Sequence, residues 1–324
     1  MIPVTLACGR YDRTDALRTG TIHPDGVDLT YLAMPPEEVF YRMLRHREFD
    51  AAELSLSSYV MNPADFVAIP VFPSRTFRHN AIYVNTDSGI AEPADLVGKK
   101  VGIPEYQMTA AVFIRGILAD HHGVPVDSIR YRTGGLHQPG RSEKIPLPER
   151  VTASIEPIGP YQTLADLLID GEIDALYSAR MPQPYADGHP KIRRLFADPR
   201  KVEEDYFTAT GVFPIMHTVV IKRELYERNP WLARSLYDAF EQSRAQAVRT
   251  LGETNALRFS LPWLYTEVER TADIMGKDFW TYGVHANGVT LRTFLRYSYE
   301  QGLSPKELAP DELFAPETLD SFRV

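Results

Sequence analysis

The sequence predicts an α/β protein built as two lobes, and three observations carry that expectation. Short apolar runs alternate with segments of helical spacing through the first third of the chain. The same alternation resumes after the junction Asp95-Leu96-Val97-Gly98-Lys99-Lys100, and beyond Asn229 every periodic segment is helical. A length of 324 residues suits two lobes of roughly 100–200 residues each. We expect residues 1–100 to form the first part of lobe one and 101–212 to form lobe two. Residues 213–324 are then a return to lobe one that ends in helices.

Each element follows from local pattern. Residues 4–8 and 27–32 are apolar runs bounded by Gly and Asp turn signals, so both are expected strands. A helix is expected over 36–47, with Val39, Phe40, Met43 and Leu44 on one face and Pro36 in the first turn, where its missing N–H does no harm. Strands at 49–54, 66–72 and 80–84 and a short helix at 56–61 complete a βαβ pattern that argues for largely parallel sheets. In the second lobe a strand at 100–103 leads to a helix over 108–121, then a strand at 128–131. Residues 134–160 are rich in Pro and Gly without periodicity, and irregular excursions of that length are usually functional or disordered. A helix at 164–169, the Asp170-Gly171 turn and strands at 173–177 and 216–221 follow. Asn229 is a plausible N-cap for a helix running to about Arg249, and further helices are expected at 262–276 and 291–301.

Composition excludes several functions. The chain carries 43 acidic against 35 basic residues, a formal charge of −8 with no basic block, which argues against nucleic acid as a partner. Net charge does not exclude a small anion, because a local Arg cluster can override it. The single cysteine, Cys8, rules out an intramolecular disulfide, a zinc ribbon or a Cys-ligated cluster and reads as a buried strand residue. No apolar run reaches the roughly 20 residues of a membrane span. The N-terminus runs straight into a strand without the regions of a signal peptide, so a cytoplasmic location is expected.

The segment 95–103 followed by a helix resembles the crossover of two-lobed binding proteins of the periplasmic type 2 class, and Leu168-Ile169-Asp170-Gly171-Glu172-Ile173-Asp174-Ala175-Leu176 resembles their second-lobe signature. More particular are the segments 49–59, Phe77-Arg78-His79, 173–180, Phe213-Pro214-Ile215-Met216-His217 and Pro230-Trp231-Leu232. Together they resemble the 4,5-dihydroxyphthalate decarboxylase family, over residues 4 to at least 249. The resemblance implies a binding-protein fold, with a ligand cleft between the lobes, put to enzymatic use inside the cell.

Removing CO2 from an arene without oxidation replaces a ring carboxylate by a proton. Such a site needs cations that hold the substrate carboxylates, a base at the ring hydroxyl and an acid over the ring carbon, and this scheme calls for no cofactor. Arg10, Arg78 and Arg180 stand at expected strand ends, and the planar guanidinium fork suits carboxylates. The turn at Tyr106, Gln107 and Thr109 offers free backbone N–H groups at a helix start, where the dipole also favours an anion. Ser55, Ser57 and Ser58 are read either as caps of their short helix or as donors to substrate oxygen. His79 and His217 are the acid–base candidates, because imidazole changes charge near neutral pH. Each is also readable as a structural histidine in an apolar strand; the family resemblance favours the functional reading. Glu53, at the end of an apolar strand, is expected either to have a raised pKa or to pair with one of the arginines. His79, His217 and Glu53 as a metal triad is disfavoured, since no close His spacing supports it.

The expected partner is therefore a small aromatic carboxylate, with self-association into a homo-oligomer left open. The expected reaction is the conversion of 4,5-dihydroxyphthalate to protocatechuate. The alternative is a cytoplasmic binding or sensor protein that holds a small anion without chemistry. A third, weaker reading, an enzyme of pyrimidine or thiamine-precursor metabolism, calls for a nucleophilic cysteine that Cys8 does not supply.

Overall fold

Two sheets organise the protein, whose computed structural model describes residues 1–319. The first has five strands in the order β2 (Val27–Ala33), β1 (Ile2–Cys8), β3 (Ala51–Ser55), β11 (His217–Lys222) and β4 (Phe66–Ile69). The second has six, ordered β10 (Ile192–Arg194), β5 (Ile82–Asn85), β9 (Ala175–Tyr177), β6 (Lys100–Ile103), β7 (Arg130–Thr133) and β8 (Ser154–Pro157). Both sheets are mixed. Pairs β1–β2, β1–β3, β6–β7, β6–β9 and β7–β8 are parallel, whereas β11 runs antiparallel to β3 and β4, and β5 antiparallel to β9 and β10. The two reversed strands are the ones that enter a sheet from the other lobe. No βαβ crossover within the sheet dictates their direction.

Because β5 already belongs to the second sheet, the chain leaves lobe one before residue 82 and not near 100. The outgoing and returning chains cross side by side. Met216 N–H donates to Ser74 O at 2.9 Å and Thr76 N–H to Pro214 O at 3.2 Å. Buried Arg75 fastens this crossing to the C-terminal region, donating to Phe213 O (2.8 Å), Asn287 Oδ1 (2.7 Å) and Thr281 O (3.1 Å).

The helical C-terminal block is shared between the lobes. The helix Trp231–Leu251 packs on lobe one, beside the N-terminal turns at Asp12–Thr14 and Asp15–Arg18. The helix Gly288–Glu300 instead lies on the lobe-two helix Thr109–His122. Phe113 and Phe294 rings are 5.2 Å apart there, and Gln301 accepts from Arg115 Nε at 2.8 Å. Gly116 permits this approach, since a Cβ on it would lie 2.3 Å from the Tyr297 ring. Residues 320–324 of the expected return segment lie outside the described residues.

Candidate active site between the lobes

The strand register builds the centre of the site. In the antiparallel β3–β11 pair Ser55 faces His217 and Glu53 faces Val219. Glu53 and His217 are thus diagonal neighbours on one face of the sheet, within reach of long side chains. Their contact is close, with His217 Nδ1 2.6 Å from Glu53 Oε1. Glu53 is fully buried and accepts three further donors: Gly9 N–H and Tyr11 Oη, each at 2.8 Å, and more weakly Cys8 Sγ at 3.5 Å. Gly9 is needed at this turn, because a Cβ there would stand 2.6 Å from the Tyr11 ring.

Burial alone pushes the Glu53 carboxyl up, but His217, Gly9 N–H and Tyr11 together hold it below the ordinary carboxylate value. This corrects the expectation of a raised pKa, and the partner is a histidine and not an arginine. Ionised Glu53 can only accept, so Nδ1 of His217 carries the proton and Nε2 is left for the cavity that His217 lines. Phe40 meets the imidazole edge-on at 4.8 Å and helps fix the ring.

That cavity encloses about 190 Å3, on the order of the roughly 150 Å3 that holds a benzene ring. Arg78, Arg141, Lys144 and Arg180 line it together with the carboxylates Glu37 and Glu105, an excess of two positive charges in a chain of net charge −8. The cations differ in how they are occupied. Arg141 pairs with Glu105 (2.6 Å) and Glu37 (3.2 Å), Lys144 pairs with Glu105, and exposed Arg180 pairs with Glu37 at 2.7 Å. Glu37 lies in the lobe-one helix Pro36–His46, so its two ion pairs bridge the lobes at the cavity mouth. Arg78, 9% exposed, has no carboxylate within ion-pair distance among the described residues, and its Nε donates to Met216 Sδ at 3.1 Å. Burial lowers its pKa to about 10, still cationic at neutral pH.

Ser55, Ser58, Gln107 and Thr109 also line the cavity, with Ser55 Oγ and Thr109 Oγ1 2.9 Å apart. The free backbone donors expected at the 106–109 turn are not free. The Glu143 carboxylate accepts from Tyr106 N–H at 2.5 Å and from Gln107 N–H at 3.4 Å. Burial raises Glu143 to about 7, against the pull of these two N–H groups. Gln107 is oriented so that its carbonyl accepts from Lys144 N–H (3.1 Å) and Ile145 N–H (2.9 Å) while its amide donates to Ser58 Oγ.

Other expected site residues lie elsewhere. Arg10 is exposed and outside the cavity lining; β1 ends at Cys8, and beyond the Gly9 turn it is Tyr11 that turns inward, onto Glu53 and not into the lining. His79 is buried outside the lining, its ring 5.6 Å from Phe196 and 5.1 Å from Tyr206, with Nδ1 unpartnered. Burial there, aided by nearby His122 and His121, lowers its pKa to about 4. Ser57 supplies only its backbone N–H, to Thr109 Oγ1, and Tyr106 packs under Arg115 with its hydroxyl outside the lining. His79 therefore does not join His217 and Glu53. Among the described residues no group of three His, Cys, Asp or Glu is placed to hold a metal ion.

Sequence reasoning missed Arg141, Lys144, Glu37 and Tyr11. The first two lie in the 134–160 segment, which was expected to be wholly irregular but ends in strand β8 at Ser154–Pro157. Its length was the available signal, and its lack of period hid both that strand and the side chains that turn inward. Glu37 follows Pro36 in a first helical turn, where an acid already has a dipole explanation.

A scan against protein-family models finds no match. Among curated proteins, the 4,5-dihydroxyphthalate decarboxylase of Comamonas testosteroni is 41% identical over 329 aligned positions, covering 100% of this chain and 99% of that protein. The protein of the same name from Pseudomonas putida is 40% identical over 210 residues, 64% of this chain and 81% of its own. Solved structures of like fold are more distant in sequence. The periplasmic aliphatic sulphonate binding protein SsuA of Escherichia coli matches with TM-score 0.53 at 15% identity, over 98% of this chain and 99% of its own. Protein AF1704 of Archaeoglobus fulgidus matches with TM-score 0.55 at 14% identity, over 93% and 98%. No helix among the described residues is long and apolar enough to cross a membrane. With the periplasmic-binding-protein type 2 fold and near-complete coverage by a close relative, the chain belongs to the 4,5-dihydroxyphthalate decarboxylase family of carboxy-lyases.

Proposed function

We propose that this protein decarboxylates a hydroxylated aromatic diacid without oxidation, 4,5-dihydroxyphthalate to protocatechuate being the reaction its family membership favours. The observation that carries the reading is a pairing: a buried Arg78 without a carboxylate partner among the described residues lines the same cavity as a histidine backed by an ionised carboxylate. Arg78 holds one substrate carboxylate, and the positive excess of the lining suits a dianion. His217, as the imidazolium stabilised by Glu53, gives its Nε2 proton to the ring carbon that bears the leaving carboxylate. The bond from that carbon to the carboxyl group then breaks, its electron pair returns to the ring and CO2 leaves. The net change is one proton consumed and one CO2 released, with no redox step. Ser55, Thr109, Ser58 and Gln107 supply hydrogen-bonding groups for the ring hydroxyls, and Glu37 keeps the lobes together over the site. Purified protein incubated with 4,5-dihydroxyphthalate should release CO2 and protocatechuate in equal amounts. Absence of product across a panel of hydroxylated benzoates would leave an anion-binding protein as the surviving reading.

A further inference from the structure

We propose that Glu143 is a specificity-determining residue that fills the amide groove of the 105–107 turn, so that an incoming carboxylate is directed onto Arg78. The turn leads from β6 into the helix Thr109–His122, and its outward N–H groups and the helix dipole favour an anion. In this protein the acceptor oxygens at that position are supplied by the chain itself. Both carboxylate oxygens of Glu143 are engaged, one by Tyr106 N–H and the other by Gln107 N–H.

The docking is not made by one side chain alone. Arg141 and Lys144 on either side of Glu143 both pair with buried Glu105, and Gln107 accepts from the backbone of Lys144 and Ile145. Four residues of the 134–160 excursion are thereby fastened to three consecutive residues of the turn. A tethered carboxylate competes with free ligand at an effective concentration in the millimolar range or above. A substrate anion meets this groove already satisfied. It meets Arg78 with its charge unpaired, across a cavity whose other cations are already paired with Glu37 or Glu105. The filled groove and the unpaired arginine together set where a carboxylate binds, and so which ring carbon is offered to His217.

The inference rests on the proposed reaction only for the identity of the anion, so its test uses binding and not turnover. Inorganic sulfate is titrated calorimetrically into the parent protein, Arg78→Gln, and the double variants that add Glu143→Ala or Glu143→Gln. Arg78→Gln alone should weaken sulfate at least tenfold. Adding Glu143→Ala should restore it at least tenfold, through the vacated N–H groups. Adding Glu143→Gln should not, because the glutamine carbonyl still accepts from them. Equal restoration by both double variants would reduce the effect to lost negative charge and overturn the proposal. Restoration by neither, or parent binding indifferent to Arg78→Gln, would overturn it as well. If circular dichroism shows the alanine variant unfolded, Glu143→Ser is read by the same criteria.

Discussion

The surroundings of His217 and of His79 contrast two fates for the same side chain. His217 begins a strand, meets a buried carboxylate at 2.6 Å and lines the cavity. His79 follows the cavity-lining Arg78 directly in sequence, yet it sits among Phe196 and Tyr206, with no carboxylate partner among the described residues and an unpartnered Nδ1. The first environment sets an imidazole against an ionised carboxylate at the edge of the cavity; the second keeps the ring neutral down to about pH 4. Adjacency in sequence to a site residue therefore says little about membership of the site. What decides it is the strand register and the nature of the group across the sheet.

The sharpest way to break this contrast is to exchange each ring for an amide. His217→Asn should lower kcat by about 10²–10⁴, the usual range for loss of general acid–base catalysis, while substrate still binds. His79→Asn should leave kcat within about threefold of the parent, since the ring lies outside the cavity lining. Arg78→Gln should act on KM, because removing one partner of a buried charge pair costs about 2–5 kcal/mol, or roughly 30-fold and more. Initial rates across a substrate range separate the two effects.

His79 should reveal itself in stability. A histidine whose folded pKa is about 4 and whose unfolded pKa is near 6.5 binds its proton only after unfolding between those values. The unfolded state then holds more protons, so stability rises with pH through that window and falls as pH drops from about 6.5 to 4. Denaturant titrations at several pH values should show His79→Phe losing this dependence, by up to roughly 3 kcal/mol at the acid end. An unchanged profile in the variant would show that the His79 ring is not held neutral by burial.

Glu53→Gln should also lower kcat, because a glutamine amide cannot stabilise the His217 imidazolium as a carboxylate does. Glu53 also has a depressed folded pKa, so the stability it contributes is present above about pH 4.3 and is lost as pH falls further. Acid unfolding of Glu53→Gln should therefore be less steep below pH 4.3. The smallest effect is expected at the cavity mouth. Glu37→Gln breaks two part-exposed ion pairs, each worth at most about 1 kcal/mol, and should raise KM only a few-fold.

Much of the fold was legible because it rests on period and punctuation. Alternating apolar runs located β1, β2, β3 and β6, and the crossover and second-lobe signatures located the two-lobed plan. Strand direction was not legible, because β5 and β11 enter from the opposite lobe and carry no local mark of their reversal. The same limit explains the site. Arg78, Arg180, His217, Ser55, Gln107 and Thr109 reach the cavity as expected from strand ends and the helix entry. Arg10 and His79 were expected there on the same grounds, but Arg10 is exposed while the inward contact of its turn is Tyr11 on Glu53, and His79 packs on Phe196 and Tyr206; these are contacts between distant segments. Glu53 shows it most clearly. An apolar strand suggested a raised pKa, and only the convergence of His217 from one segment with Gly9 and Tyr11 from another reverses the sign.

The most direct test of a carboxylate-backed proton donor is the ratio of turnover between two single variants. Parent, His217→Asn and His79→Asn are each given saturating 4,5-dihydroxyphthalate, and CO2 release is followed alongside the retained fold by circular dichroism. The account predicts a fall of at least about 100-fold for His217→Asn and near-parental release for His79→Asn. Parental release from His217→Asn, or an equal fall in both folded variants, would contradict it.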